Sequence, residues 1–225
     1  MSSRVRIFDS SVGSKILIGG TGLFLVVYLI IHIAGNLMVF GGPEFFNRYA
    51  GALGSNPLIP VIELVLLLGI VLHVYKTARM FVGNQAARPV KYAVKKSAGH
   101  TSRKTLASST MILSGLWLLA FLMIHVKAFK YGAHYEAPDG MNDLYRMEME
   151  NFRHPLMVGF YLLSMLIVGA HLFHGASSAF QSLGLSHPRW TPRFLLVGKM
   201  IAVGIASGFI IIVLWAHFIG GQVAA

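Results

Sequence analysis

The chain has 225 residues, 55% apolar and only 12% charged, with a mean hydropathy of +0.65, a composition well outside that of soluble globular domains. It has no cysteine, which excludes disulfides, iron–sulfur clusters held by this chain, thiolate-ligated haem and cysteine nucleophiles, and leaves histidine, methionine or carboxylate as ligands for any metal. A formal net charge of +11 raises nucleic acid as a partner, but the charges are placed as loops between membrane spans would place them, so no nucleic acid is expected.

A bilayer core about 30 Å thick takes roughly 20 apolar residues in a helix. Five runs meet that length, at residues 15–40, 57–80, 108–128, 155–177 and 195–218. They predict an all-α fold, an integral membrane bundle of five transmembrane helices forming one domain over 1–225, with no internal repeat. The segment through Asp9 and Ser14 is polar, and the run after it is too long for a signal-peptide core and has no convincing cleavage site, so it reads as a retained first helix carrying His32.

The second run carries Glu63 and His73, the third His125, the fourth His171 and His174, and the fifth His217 near its end. His100 and His187 fall in one set of connections and His134 and His154 in the other, where solvation is the expected state. The connection from Phe129 to His154, with EAPDGMNDLYRMEME, is long and acidic. It either covers the outer end of the bundle or is only solvated, and no chemistry is assigned to it.

Three polar segments share one side. They hold Arg4, Arg6 and Lys15; Lys76, Arg79, Arg88, Lys91, Lys95, Lys96, Arg103 and Lys104; and Arg189, Arg193 and Lys199, with Asp9 as their one acid. The other side balances Arg48, Lys127, Lys130, Arg146 and Arg153 against Glu44, Glu136, Asp139, Asp143, Glu148 and Glu150. Basic residues accumulate on cytoplasmic loops, so the N-terminus is expected inside and the C-terminus outside. The basic face reads first as a topology determinant and a surface for anionic membrane lipid, and second as a dock for a soluble partner.

Ionisable side chains inside a span are costly, so each intramembrane histidine is a functional candidate. His32 and His125 each lie 17 residues after the start taken for their outward helix, about 25 Å from the inner edge. His73 and His171 each lie 16 after the start of their inward helix, about 24 Å from the outer edge. A lone buried histidine is more often interhelical glue, but four histidines matched in depth by pairs suggest two bis-histidine haems stacked across the membrane. Gly35, Gly69 and Gly175 lie within a turn of His32, His73 and His171 and are expected to clear space for a porphyrin. His174 is one turn from His171, and depth alone does not choose between them as ligand.

The stretches HIAGNLMVFGGPEFFNRYA from His32, ELVLLLGIVLHVYKTAR from Glu63, FLMIHVKAF around His125 and AHLFHGASSAFQSLG around His171 together resemble the cytochrome b subunit of succinate dehydrogenase and fumarate reductase, in its five-helix, two-haem form. The resemblance runs over nearly the whole chain. It implies two haem b groups, the inner on His73 and His171 and the outer on His32 and His125. In that family the fourth-helix ligand stands four residues before a glycine, which favours His171 with Gly175. His174 stands where the family commonly has asparagine, and reaches a propionate or a neighbouring helix.

The resemblance further implies a flavoprotein subunit and an iron–sulfur subunit docked on the cytoplasmic face, a membrane quinone as electron acceptor (menaquinone rather than ubiquinone), and residence in the bacterial cytoplasmic membrane. Oligomeric state is left open, including a higher oligomer of the complex. Quinone reduction needs protons, which makes Glu63 the first carboxylate to consider and Glu44 the second; packing is the equal alternative for Glu63. The competing readings are a cytochrome b of another oxidoreductase, such as a hydrogenase or formate dehydrogenase, and a haem-free membrane anchor or transporter.

Overall fold

A computed structural model describes residues 10–87, 90, 105–137, 140 and 142–220. Arg4, Arg6, Asp9, Arg88, Lys91, Lys95, Lys96, His100, Arg103, Lys104 and Asp139 lie outside the described residues. Among those described the fold is all-helical, with one isolated bridge between Glu136 and Asn142 and no strand.

The helices are α1 (Ser11–Asn36), α2 (Pro43–Gly54), α3 (Ile59–Ala86), α4 (Leu106–Ser109), α5 (Met111–Phe129), α6 (Leu144–Arg153), α7 (Pro155–Ser182) and α8 (Thr191–Trp215). A 3-10 turn, Leu37–Gly41, prolongs α1, and a π-helical turn, Ala216–Gly220, prolongs α8. The Ser10 side chain caps α1 by accepting the Gly13 N–H at 3.0 Å. Proline stands in the first turn of α2, α3, α7 and α8, where its missing N–H costs no helical bond. Gly42, at φ 89°, reverses the chain between the end of α1 and α2.

Five helical segments are long and apolar enough to cross a membrane: Ser11–Gly41, Ile59–Ala86, Met111–Phe129, Pro155–Ser182 and Thr191–Gly220. They match the five apolar runs. The second and fourth continue past the runs' ends, because residues such as Asn84 and Gln181 leave the hydrocarbon without breaking the helix. Helices α2 and α6 lie in the connections at one end of the bundle, called here the cap end, and neither is visible as an apolar run.

The closest packing joins α7 and α8 through small residues, as membrane helices prefer. A Cβ on Gly198 would come within 3.1 Å of the Ser177 nitrogen and one on Gly169 within 3.0 Å of the Ala206 Cβ, while Ala202 is fully buried. By contrast α3 leaves Val61, Leu64, Leu68 and Val71 more than half exposed, a continuous apolar face that suits lipid and would be a liability in water. At the cap end Val39, Phe46, Tyr145, Met149, Phe152, Tyr161 and Ile212 form a core that ties α2 and α6 onto the spans.

Candidate functional site: two histidine pairs

The four candidate histidines come from four spans. At the cap end, His32 of α1 and His125 of α5 meet edge to face, with ring centres 6.0 Å apart and planes at 87°. Aromatic rings hold both in place. Tyr28 stacks on His32 at 5.4 Å and Phe121 on His125 at 5.6 Å, with Phe209 and Phe129 beside them. The Tyr161 hydroxyl lies 3.1 Å from His125 Nδ1. Asn36 donates to the His32 carbonyl at 2.8 Å and approaches His32 Nδ1 only at 3.5 Å, too long to fix a tautomer.

Towards the other end, His73 of α3 and His171 of α7 each face a hydroxyl from a neighbouring helix. Thr21 of α1 donates its hydrogen to the Leu17 carbonyl at 2.7 Å, so at 3.1 Å from His73 Nδ1 it accepts the ring N–H. The Ser114 hydroxyl of α5 lies 3.0 Å from the Met111 carbonyl and 2.8 Å from His171 Nδ1. In the tautomer with the proton on Nδ1, Nε2 of both rings is bare. His171 also lies within electrostatic reach of His73 and His174.

Space beside these rings comes from glycines on the neighbouring helices. A Cβ on Gly22 would stand 3.4 Å from His73 Cε1, and one on Gly115 would stand 3.7 Å from His171 Cε1. The glycines singled out from the sequence behave differently. Gly69 makes room for the Phe24 ring and Gly35 for the Tyr49 hydroxyl, while Gly175 faces the end of the Met111 side chain. Counting along one helix selected glycines on the histidine's own helix, whereas the clearance is set by what packs across from it.

Of the carboxylates, Glu63 pairs with Lys130 at the end of α5, both about half exposed, and lies within electrostatic reach of Tyr28. Glu44 pairs with Arg48 one turn along α2 at 2.6 Å, fully at the surface. The His174 ring is half-buried and makes no hydrogen bond to a described residue; its carbonyl accepts from Ser177 and Ser178 at 3.1 and 2.9 Å. His134, His154 and His187 are exposed. His217 contacts the Phe152 carbonyl through Nδ1 at 2.8 Å. Sequence reading did not pick out Thr21, Tyr28, Ser114 or Tyr161, whose hydroxyls and rings act from across the bundle.

No group of three or more metal-ligating side chains occurs among the described residues, and the donor sets on offer are pairs of imidazoles. Two features fit such a pair to one metal ion. A bare Nε2 backed by an Nδ1–H bond is the state in which histidine ligates. The His32 and His125 ring centres lie 6.0 Å apart, so both imidazoles could reach one ion. No family model matches the chain, and neither a curated protein nor a solved structure matches it.

Proposed function

We propose that this chain is the two-haem cytochrome b membrane anchor of a succinate:quinone oxidoreductase, carrying electrons from an iron–sulfur subunit to a membrane quinone. The observation that carries the reading is the placement of four histidines on four spans, with His32 and His125 in ring contact and His171 within electrostatic reach of His73. Haem held by such pairs supplies reversible one-electron chemistry within the bilayer. His73 and His171 hold the inner group, His32 and His125 the outer. Thr21 and Ser114 orient the inner imidazoles and raise their basicity through the Nδ1–H bonds. Tyr28, Phe121, Phe129 and Phe209 keep water from the outer pair.

The charge pattern of the loops supports a cytoplasmic N-terminus and an outer C-terminus, with the cap end facing outward from a bacterial cytoplasmic membrane. The flavoprotein and iron–sulfur subunits dock on the basic cytoplasmic face, where Lys and Arg steer their approach. The succinate chemistry belongs to those subunits. One observation favours a haem-free anchor instead: Thr21, Ser114 and Tyr161 bridge helices to the histidines in the manner of interhelical bonds worth about 1 kcal/mol each. Succinate added to membranes containing the complex separates the two readings. It reduces a b-type cytochrome if the proposal holds, and produces no haem signal from a haem-free anchor.

A further inference from the structure

The most enclosed acid among the described residues is neither of those the spans suggested. Helix α6 is polar in composition, LYRMEMENFR, yet Tyr145, Glu148, Met149 and Phe152 recur at helical spacing and are all buried. That register turns Glu148 inward, with 5% of its surface exposed, and sends Glu150 outward to pair with Arg153 at 3.1 Å. The Glu148 carboxyl has no hydrogen-bond or ion-pair partner among the described residues; its electrostatic neighbours are Tyr145 and Tyr161. The Tyr145 hydroxyl is itself buried without a hydrogen-bond partner.

Of the charged groups on surrounding elements, Lys127 of α5 is exposed and four others have partners of their own. Asp143 takes the Asn47 amide from α2 at 2.8 Å, His217 of the π-helical turn holds the Phe152 carbonyl, Lys130 of α5 pairs with Glu63, and Arg146 lies over the Tyr135 ring. With burial alone acting on it, the Glu148 carboxyl is pushed up to about 8 and is neutral at pH 7. Two buried polar groups one helical turn apart, without hydrogen-bond partners among the described residues, are the setting for an internal water. Beyond them the Tyr161 hydroxyl reaches His125 Nδ1 at 3.1 Å.

We propose that Glu148 is the proton-exchange group of the outer histidine pair, connected to it by internal water and the Tyr161 hydroxyl. This rests on the quinone-linked function proposed above. Reduction of a quinone adds two electrons, delivered from the succinate-oxidising subunits, and one proton to each quinone oxygen. In one of those transfers the Tyr161 O–H proton passes to a quinone oxygen, the Glu148 O–H proton replaces it through the water, and a proton from the aqueous side restores the Glu148 carboxyl. The other proton is drawn directly from that side. Glu63, by contrast, is held in an ion pair with Lys130.

Infrared spectra of the full-length complex in lipid nanodiscs, between pH 6 and 10, test this for wild type, Glu148→Gln and Tyr161→Phe. The expected result is a protonated-carboxyl band in wild type that halves near pH 8, disappears in Glu148→Gln and persists in Tyr161→Phe. Glu148→Gln keeps the haem spectrum, and both variants lose quinone-linked turnover about tenfold or more, the scale of a displaced acid–base group. An unchanged band in Glu148→Gln overturns the proposal, as does full quinone turnover in that variant. A wild-type chain with the band but no haem overturns the quinone role together with the electron-transfer reading, and leaves only a buried neutral carboxyl.

Discussion

The Thr21 hydroxyl, on the first span, lies 3.1 Å from His73 Nδ1, on the second, and the Ser114 hydroxyl lies 2.8 Å from His171 Nδ1. Two helices that carry the outer histidines thereby also orient the inner ones. An imidazole that donates from Nδ1 is a stronger ligand at Nε2. Thr21→Val and Ser114→Ala are each expected to raise the midpoint potential of the inner haem, because a weaker donor favours the reduced metal, and to weaken its retention by about 10- to 100-fold. Redox titration of the purified variants checks this; unchanged potentials in both would show the hydroxyls to be simple packing contacts.

Gly22 faces the His73 ring closely enough that only a methyl group fits, with the added Cβ at 3.4 Å. Gly22→Ala is expected to keep both haems. Gly22→Leu must displace the ring and lose the inner haem while keeping the outer. Haem content per chain, with the b-type absorbance resolved into its two components, reads the difference.

Asn47 joins the two cap helices. Its buried amide donates to Asp143 Oδ1 at 2.8 Å and accepts the Tyr145 N–H at 2.9 Å. Asn47→Ala leaves both partners without their bond in a dry site, so a loss of about 1–3 kcal/mol is expected. Limited proteolysis should then cut near α6 before it reaches any span.

Burial raises the Glu148 carboxyl from its ordinary value of 4.5 to about 8. Between those values the unfolded chain has released the proton and the folded chain still binds it, so stability falls as pH rises and levels off above pH 8. Glu148→Gln has no such proton. It is expected to match wild type near pH 5 and to exceed it at pH 8 in thermal or denaturant unfolding; parallel pH profiles would contradict the burial of this carboxyl.

The spans, and the nearness of His32 to His125, were legible because both depend on one-dimensional quantities. Apolar runs report length, and the fixed rise of a helix converts residue counts into depth, which set His32 beside His125 without any coordinates. What depended on a partner helix was not legible. Gly22, Gly115, Thr21 and Ser114 act on rings that belong to other spans, and Phe24 and Tyr49 fill the space that Gly69 and Gly35 were expected to leave for a porphyrin. Helices α2 and α6 are short and amphipathic, so no apolar run announces them. Glu148 reads as one more acid in a solvated loop until α6 docks and its register turns that side chain inward. Glu63 drew notice for lying within a span, yet Lys130 reaches it from the end of α5.

The most direct test is pyridine haemochrome quantitation with a reduced-minus-oxidised spectrum on the purified complex, for wild type and for His32→Ala, His73→Ala, His125→Ala and His171→Ala. The account predicts two protohaems per chain in wild type. The same component should be lost in His32→Ala and His125→Ala, and the other in His73→Ala and His171→Ala. Wild-type protein with no haem, or variants whose losses fail to group in these pairs, would contradict it.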